Sequence, residues 1–205
     1  SPHTTHFSIV DRWGNMVSYT STIEFTWGSG ITVAGYGFLL NNQLTDFNFV
    51  PAASADDPGA NDVAPGKRPR SSMAPTLLLK DGKPVAAYGS PGGATIINSV
   101  LNVTLNLIDH GMTMQQAIDA PRLSVTHPTG RLSCEGGAEF MQPGFSLAAQ
   151  DALRAMGHVG LAESGTEGCQ ETIGSVQAVV IDHETGNHAG AADRRREGTV
   201  VRVGR

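Results

Sequence analysis

The chain has 205 residues, of which 40% are hydrophobic and 16% are charged, and it contains 25 glycines. This length supports one sizeable core, and few charges with many glycines favour a loop-rich α/β or β domain over a helical bundle or a disordered chain. The formal net charge of −5 argues against a nucleic-acid partner, because nucleic acids normally bind to a basic protein surface.

The first quarter of the chain predicts a β-hairpin. Polar and apolar residues alternate from Thr5 to Asp11, and Met16 to Ile23 is rich in Val, Tyr and Thr, with a turn over Arg12–Asn15. A glycine-rich stretch, Trp27 to Gly37, then leads into a short apolar run. Residues 48–70 are dominated by Pro, Ala, Asp and Gly without periodicity, which predicts a long surface loop of the kind that often covers a site.

A second hairpin and a long helix follow. Leu77–Leu79 and Val85–Tyr88 flank Asp81-Gly82, a strong two-residue turn signal. After the loop Ser90–Gly93, apolar residues at helical spacing predict an amphipathic helix. The members of its apolar face are Ile97, Leu101, Leu105 and Ile108.

The remaining elements complete an α+β pattern, with strands at both ends and helices between them. Thr113 with Gln116 forms a capping box for a short helix that ends at Pro121. A third helix is predicted from Ser146 to Gly157. Its expected buried residues are Leu147, Leu153 and Met156. The segments Val176–Ile181 and Asn187–Ala191 predict a last hairpin.

Metal and membrane sites have little support in the sequence. Cys134 and Cys169 form no C-x-x-C pair, and the seven histidines are scattered; whether the two cysteines form a disulfide stays open. The longest apolar stretches are interrupted by polar residues, so no membrane span is expected, and no signal peptide is visible at the start. The only basic cluster, Arg194-Arg195-Arg196, predicts a solvated turn or a local ion pair.

One arrangement indicates chemistry. A threonine at a chain start can use its own α-amine, with a pKa of about 8, as the base that activates its hydroxyl. Thr4, which opens a predicted strand, fits this need once the preceding peptide bond is cut. The loop Ser90–Gly93 fits the need for an oxyanion hole, because glycine lets backbone N–H groups approach a reacting carbonyl and a helix follows.

Several motifs, in collinear order over nearly the whole chain, resemble the small subunit of the γ-glutamyltransferase (γ-glutamyltranspeptidase) family. The motifs are Thr4-Thr5-His6-Phe7-Ser8-Ile9-Val10-Asp11, Gly14-Asn15, Leu39-Leu40-Asn41-Asn42-Gln43 with Asp46-Phe47, Lys67-Arg68-Pro69, Ser71-Ser72-Met73, Pro75-Thr76, Gly89-Ser90-Pro91-Gly92-Gly93, Ala120-Pro121-Arg122, Gly174-Ser175 with Gln177, and Asp193.

This resemblance implies a four-layer αββα fold of the N-terminal-nucleophile hydrolase class, made from one precursor. It divides the chain into residues 1–3, a remnant of the large subunit, and residues 4–205, the small catalytic subunit. The implied partner is the large subunit of the same precursor. The implied location is periplasmic or secreted, and no cofactor or metal is expected.

The resemblance also implies the catalytic roles. Thr4 matches the nucleophile, which forms a γ-glutamyl ester that water or an amino-acid or peptide acceptor then releases, with glutathione as one such donor. Thr22 matches the threonine whose hydroxyl bonds the nucleophile. Gly92 and Gly93 match the donors of the oxyanion hole. If Ser1-Pro2-His3 stays bonded to Thr4, the base is missing and the chain represents an uncleaved precursor.

The implied substrate residues come from three segments. Gln43 and Asp46 match the residues that hold the α-ammonium group, and Ser71 and Ser72 match the pair that donates to the α-carboxylate. Glu24 stands where many members carry Asn, and a second carboxylate near Asp46 is still expected to favour the ammonium group. The carboxylate-binding arginine of the family lies on the large subunit, so this pocket is expected to be incomplete.

Three functions fit these residues. The favoured one is a γ-glutamyl-transferring amidase. A cephalosporin or glutaryl acylase of the same fold is the alternative within the fold, and glutaryl groups lack the α-ammonium that Glu24, Gln43 and Asp46 suit. An unprocessed, non-catalytic γ-glutamyl-binding relative is the alternative from another class.

Overall fold

The computed structural model describes residues 3–54, 59–125, 132–135, 144–158 and 172–203. Within these ranges the chain forms eight strands and three α-helices, which confirms the predicted α+β class. The strands are β1 (Thr4–Val10), β2 (Met16–Thr22), β3 (Thr76–Lys80), β4 (Lys83–Gly89), β5 (Leu123–Val125), β6 (Leu132–Cys134), β7 (Gln177–Asp182) and β8 (Asn187–Ala192). The helices are α1 (Ile96–Ile108), α2 (Met114–Asp119) and α3 (Leu147–Ala155).

All three predicted hairpins are confirmed as antiparallel pairs: β1 with β2, β3 with β4, and β7 with β8. The first turn is closed by Asp11, whose carboxylate accepts the backbone N–H groups of Trp13 and Asn15 at 2.9 Å each. In the second turn Asp81 and Gly82 have φ of 52° and 76°, the left-handed pair that a two-residue hairpin of type I′ requires.

The elements stack in layers around a four-stranded sheet of order β3-β4-β7-β8. The helices α1 and α2 pack on one face of this sheet and form the main apolar core with residues such as Tyr88, Val103 and Ile118. The β1–β2 hairpin packs against β4 and β7. Because β4 lies between two layers, all residues from Ala86 to Pro91 are buried. This places the start of β1 near the end of β4.

Helix α1 is present, but its predicted apolar face is not the one that the chain buries. The buried positions are Ile96, Ser99, Val100 and Val103. The predicted face is about half exposed; its members are Ile97, Leu101, Leu105 and Ile108. The helix is apolar on two sides, so periodicity identifies a helix without identifying the side that meets the sheet.

Helix α3 departs further from its prediction. Ser146 is its N-cap and accepts the Ala149 N–H, as expected. Leu147 and Met156 are 65% and 75% exposed, however, so the prediction that they are buried is wrong. The buried residue is Gln150, whose side-chain amide donates to the Phe145 carbonyl at 2.7 Å. By contrast, the capping box of α2 is confirmed, with bonds in both directions between Thr113 and Gln116.

The long loop predicted over residues 48–70 contains no helix or strand in its described parts, 48–54 and 59–70. It is held by two polar side chains. The Asp62 carboxylate accepts the backbone N–H groups of Ala52 and Ala53 at 2.9 Å. The Asn61 side chain donates to the Asp46 carbonyl and accepts the Arg70 N–H. The loop is therefore tied to the segment that carries Asp46.

Candidate active site

Thr4 is the first residue of β1 and is 7% exposed. Its partner across the hairpin is Thr22, and Thr4 Oγ1 donates to Thr22 Oγ1 at 3.1 Å. Thr22 Oγ1 also accepts the Glu24 N–H at 3.0 Å. The Thr4 hydroxyl is thus directed at an oxygen that is itself fixed by the backbone.

The face of the hairpin that carries Thr4 is polar along its length. Thr4, His6 and Ser8 alternate along β1, and the cross-strand partners of the latter two are Thr20 and Ser18. Every one of these side chains has a hydroxyl or an imidazole, and they face the inner layer of the molecule. Ser8 donates to the Gln177 carbonyl at 3.2 Å, which links this face to β7.

The loop between β4 and α1 has a backbone that only glycine accommodates easily. Gly92 has φ 143° and Gly93 has φ 58°. A Cβ on Gly92 would lie 2.6 Å from Thr95 Oγ1 and 3.2 Å from Gly174 Cα. Gly93 begins the short 3₁₀ turn that runs into α1, so its N–H group stands at the positive end of the helix dipole. This arrangement suits a pair of backbone donors for an oxyanion.

The segment around Gly174 and Ser175 packs against this loop. Ser90 Oγ accepts the Ser175 N–H at 2.8 Å and donates to the Pro91 carbonyl. Gly174 has φ 69°, and a Cβ there would lie 2.3 Å from Ser99 Oγ and 2.7 Å from Ser90 Oγ. The backbone at Gly174 therefore fits between the loop and the first turns of α1 without room for a side chain.

A buried cluster of four charges holds the Gly174 segment in turn. Its members are Arg122, Glu135, Asp193 and Arg195, with side chains 0% to 4% exposed. Asp193 accepts from Arg122 at 2.7 Å and from the Val176 N–H at 2.8 Å. Two positive and two negative groups balance each other, which is what burial of charge requires. Of the two predicted environments for this basic cluster, the local ion pair is confirmed for Arg195, which pairs with Asp193 two residues away. The solvated turn is wrong for Arg195, because its side chain is buried against Glu135 and Asp193.

Glu135 and Arg122 complete the support of this segment. The Glu135 carboxylate accepts the Ile173 N–H at 2.7 Å, and the Arg122 guanidinium donates to the Ile173 carbonyl at 2.8 Å. Both backbone groups of the residue before Gly174 are thus bound to charged side chains. The position of the Ser90–Gly93 loop depends on this cluster through the backbone from 173 to 176.

The two predicted acidic substrate residues lie close enough to affect each other. The Phe25 N–H donates to Asn42 Oδ1 at 3.0 Å and the Asn42 N–H to the Ile23 carbonyl, which joins the segment of Glu24 to the 3₁₀ turn Gln43–Asp46. Partial burial, and then the nearby Asp46 carboxylate, raise the pKa of Glu24. Partial burial likewise raises the pKa of Asp46. Two such carboxylates favour binding of a cation between them.

Glu24 also has an unusual backbone, with φ 74° for a residue that is not glycine. Such a conformation costs about 1 to 3 kcal/mol and is often found at functional positions. The bonds to Thr22 and Asn42 on either side maintain it. The conformation places the Glu24 carboxylate next to the turn that ends in Asp46.

The other predicted substrate residues, Gln43, Ser71 and Ser72, have fewer hydrogen bonds to the rest of the candidate site. The Gln43 N–H donates to Asn41 Oδ1, which fixes the start of its turn. Ser71 is exposed and accepts the Met73 N–H at 3.2 Å, while Ser72 is half-buried. Within the described ranges no hydrogen bond joins either serine to Glu24, Gln43 or Asp46. In these parts of the chain the structure thus joins Thr4 to Thr22 and the segment of Glu24 to the turn of Asp46, but shows no such bond to the two serines.

A cavity of about 480 Å³ borders Thr4. It is lined by β1 from Thr4 to Ser8, by β7 and by the C-terminal segment 196–201, and none of the predicted substrate residues borders it. The acidic pair is the better candidate for recognition, because its chemistry is specific and the cavity wall has no such pair. No group of three or more metal-binding side chains occurs in the described part of the chain.

Several residues of this site had no role in the sequence-based prediction. Arg122, Gly174, Ser175 and Asp193 belong to the motifs that carry the resemblance, but a motif gives positions and not contacts. His6 also belongs to one of these motifs, and no role was predicted for it. Cys134 is disulfide-bonded, which answers the open question for that residue, whereas Cys169 lies outside the described residues.

Comparison with known proteins identifies relatives along the whole chain. The sequence model of the Gamma-glutamyltranspeptidase family matches residues 1–203. The Glutathione hydrolase proenzyme of Bacillus subtilis (strain 168) is 46% identical over 200 residues, which are 98% of this chain and 31% of that protein. The Acylase ACY 1 proenzyme of Pseudomonas sp. (strain SE83) is 35% identical over 99% of this chain and 32% of that protein.

A crystal structure of the Helicobacter pylori gamma-glutamyltranspeptidase T380A mutant is similar in fold, with a TM-score of 0.79 and 35% identity. The match covers 94% of this chain and 100% of the solved chain. The chain spans about a third of the length of the curated relatives it matches.

Proposed function

The chain belongs to the gamma-glutamyltranspeptidase family, and from this premise we propose that it is the small catalytic part of a γ-glutamyl hydrolase or transferase. The observation that carries the proposal is the Thr4 hydroxyl at the start of β1, buried and bonded to Thr22. Residues 4–205 would form the small subunit, and residues 1–3 the end of the large one.

Maturation would begin at the bond between His3 and Thr4. The Thr4 hydroxyl oxygen attacks the His3 carbonyl carbon while its proton is relayed through the Thr22 hydroxyl to the leaving peptide nitrogen. The peptide nitrogen leaves as the free α-amine of Thr4, which takes up a proton, and the His3 acyl group is now an ester. Water hydrolyses this ester and regenerates the hydroxyl. The relatives from Bacillus subtilis and Pseudomonas are named proenzymes, which supports a processing step.

In the mature protein the α-amine of Thr4 would act as the base for its own hydroxyl. It accepts the proton of the Thr4 hydroxyl as the oxygen attacks the γ-carbonyl carbon of the donor. The N–H groups of Gly92 and Gly93 stabilise the oxyanion, and the amine of the donor leaves with the proton. Water or an acceptor amine then attacks the ester and frees Thr4.

Recognition of the donor would rest on Glu24 and Asp46. Partial burial raises the pKa of both carboxylates, and Asp46 raises that of Glu24 further, while Arg70 lowers that of Asp46. This supports a partly desolvated acidic pair, in which an α-ammonium group would be stabilised. Gln43 adds an amide in the same turn. Ser71 and Ser72 would donate to the α-carboxylate after the large subunit has completed the pocket.

The large subunit of the same precursor is the proposed partner. The outer face of α1 and the outer face of the β1–β2 hairpin both leave apolar side chains half exposed. On the hairpin these are Phe7, Ile9, Val17 and Tyr19. Apolar surface on two opposite layers is typical of a chain that is covered by another in its assembled state.

A periplasmic or secreted location is proposed on the resemblance. The disulfide at Cys134 supports it, since such bonds persist in oxidising compartments. None of the described helices is long and apolar enough to span a bilayer.

Acylase activity is the second candidate, because an acylase proenzyme is among the relatives. The choice is tested with full-length protein on γ-glutamyl-p-nitroanilide and glutaryl-p-nitroanilide, which differ in the α-ammonium group. We expect a higher kcat/KM for the γ-glutamyl compound, and Asp46→Asn should abolish most of this preference by raising KM. A wild-type preference for the glutaryl compound would refute the γ-glutamyl assignment, and no turnover of either would favour a non-catalytic relative.

A further inference from the structure

His6 is a buried histidine two residues beyond Thr4, on the same face of β1. Both of its ring nitrogens have hydroxyl partners. Nδ1 lies 2.7 Å from Thr20 Oγ1, and Nε2 lies 3.0 Å from Ser8 Oγ. The imidazole therefore connects β1 to Thr20 on β2 through Nδ1. Through Nε2 it bonds Ser8, the next residue on the same face of β1.

The direction of these bonds follows from Ser8. The Ser8 hydroxyl donates its proton to the Gln177 carbonyl, so its oxygen is left to accept from His6. Nε2 then carries the ring hydrogen, and Nδ1 accepts the Thr20 hydroxyl proton. The result is one directed series of bonds from Thr20 through His6 and Ser8 to the backbone of β7.

The ring also contacts the strand that carries the oxyanion loop. Gly89 is the last residue of β4, immediately before Ser90. A Cβ on Gly89 would lie 2.4 Å from His6 Cε1 and 2.6 Å from His6 Nδ1, so the imidazole lies directly against the glycine backbone. Real Cβ atoms do not approach this closely. The His6 ring on β1 thus occupies the space that a side chain at Gly89 of β4 would need.

We propose that His6 is a positioning residue that sets the distance between the Thr4 hydroxyl and the Gly92 and Gly93 N–H groups. Thr4 lies two residues before the ring on one strand, and the loop begins one residue after Gly89 on the other. The bonds to Thr20 and Ser8 fix the two ring nitrogens, and contact with Gly89 limits movement of the ring toward β4. This inference rests on the proposed role of Thr4 as nucleophile.

The ring is not itself a base for Thr4. Both nitrogens are engaged with other hydroxyls, and burial lowers the pKa of His6 from 6.5 to about 4. The imidazole is therefore uncharged at neutral pH and keeps its acceptor nitrogen for Thr20. Proton transfer from Thr4 is left to its own α-amine.

The test compares the full-length precursor with four variants: His6→Ala, His6→Asn, His6→Gln and Gly89→Ala. The Asn amide retains an acceptor near the Nδ1 position and the Gln amide a donor near the Nε2 position, so each preserves one of the two bonds. The Gly89 variant keeps the ring and its hydroxyl partners Thr20 and Ser8 but removes the space that the ring occupies. The matched control is His188→Gln on the exposed part of β8.

The readouts are the self-cleavage rate and the kcat and KM for γ-glutamyl-p-nitroanilide, with active sites counted by labelling Thr4 with an electrophilic glutamine analogue. A displacement near 1 Å costs about a hundredfold in rate, so we expect kcat per labelled site to fall about a hundredfold in the Ala variant. The Asn, Gln and Gly89 variants should lose roughly tenfold, and KM should change by less than about twofold in all of them.

A purely structural role would lower the number of labelled sites and leave kcat per site unchanged, and that result would overturn the proposal. So would a rise in KM at constant kcat. If the Ala variant does not fold, the Asn and Gln variants decide between these outcomes. Failure of wild-type protein to cleave or to label Thr4 would instead refute the proposed function.

Discussion

Asp193 offers the sharpest test of the buried charge cluster. Its carboxylate accepts four bonds, from the Arg122 guanidinium, the Arg195 guanidinium and the backbone N–H groups of Val176 and Arg195. The change Asp193→Asn keeps the size of the side chain and removes its charge. Arg122 and Arg195 would then share one remaining carboxylate, that of Glu135.

The expected cost follows from this loss of neutrality. Both Arg122 and Asp193 have side chains that are 0% exposed. Removal of one partner from a fully buried pair costs about 3 to 5 kcal/mol, because the other charge stays buried without compensation. The urea midpoint should fall by this free energy divided by the m-value measured for the full-length protein, since m grows with the surface exposed on unfolding.

The assay is urea denaturation of the full-length protein followed by circular dichroism. The control is Asp151→Asn, which breaks the ion pair with Arg154 on α3, where Asp151 is 63% exposed. That change should cost less than about 0.5 kcal/mol. Equal, small shifts for the two variants would refute the conclusion that the cluster fixes the Gly174 segment, whereas a large shift confined to Asp193→Asn supports it.

Three further predictions concern single contacts. Thr22→Val should lower kcat about ten- to a hundredfold with little change in KM, because the acceptor of the Thr4 hydroxyl is lost; steady-state kinetics check this, and unchanged kcat would contradict it. Since the folded pKa of His6 is near 4 and the unfolded value is 6.5, neutral His6 contributes stability that is present above pH 6.5 and is lost as the pH falls toward 4. Thermal melts of wild type and His6→Gln over this range should show a steeper loss in the wild type, and parallel curves would argue against it. Thr113→Ala should cost about 1 kcal/mol in urea denaturation through loss of the capping box, and no change would argue against that cap.

The sequence was sufficient for features that depend on neighbouring residues. The three hairpins and the capping box of α2 were correctly predicted because their signals lie within a few residues of each other, as in Asp81-Gly82. The burial of α1 and α3 was not, because the buried side of a helix depends on distant layers. In α3 a polar residue, Gln150, is buried since its amide meets a local carbonyl.

The site shows the same division. Thr4 and Gly92 could be named in advance from ordered motifs, and their roles remain predictions that the geometry supports. The contacts that hold them could not be predicted, because Asp193 meets Arg122 across 71 positions and His6 meets Gly89 across more than 80. Pairings over such separations leave no periodic pattern in one sequence.

The central claim is that Thr4 becomes a free N-terminal nucleophile. Intact-mass spectrometry of the full-length protein, incubated with a γ-glutamyl donor and quenched in acid, measures this directly. We expect two chains, one of which begins at Thr4 and carries the added mass of one γ-glutamyl group. We expect Thr4→Ala to yield a single uncleaved chain. A wild-type protein that stays uncleaved at His3, or a cleaved chain that acquires the group on another residue, would contradict it.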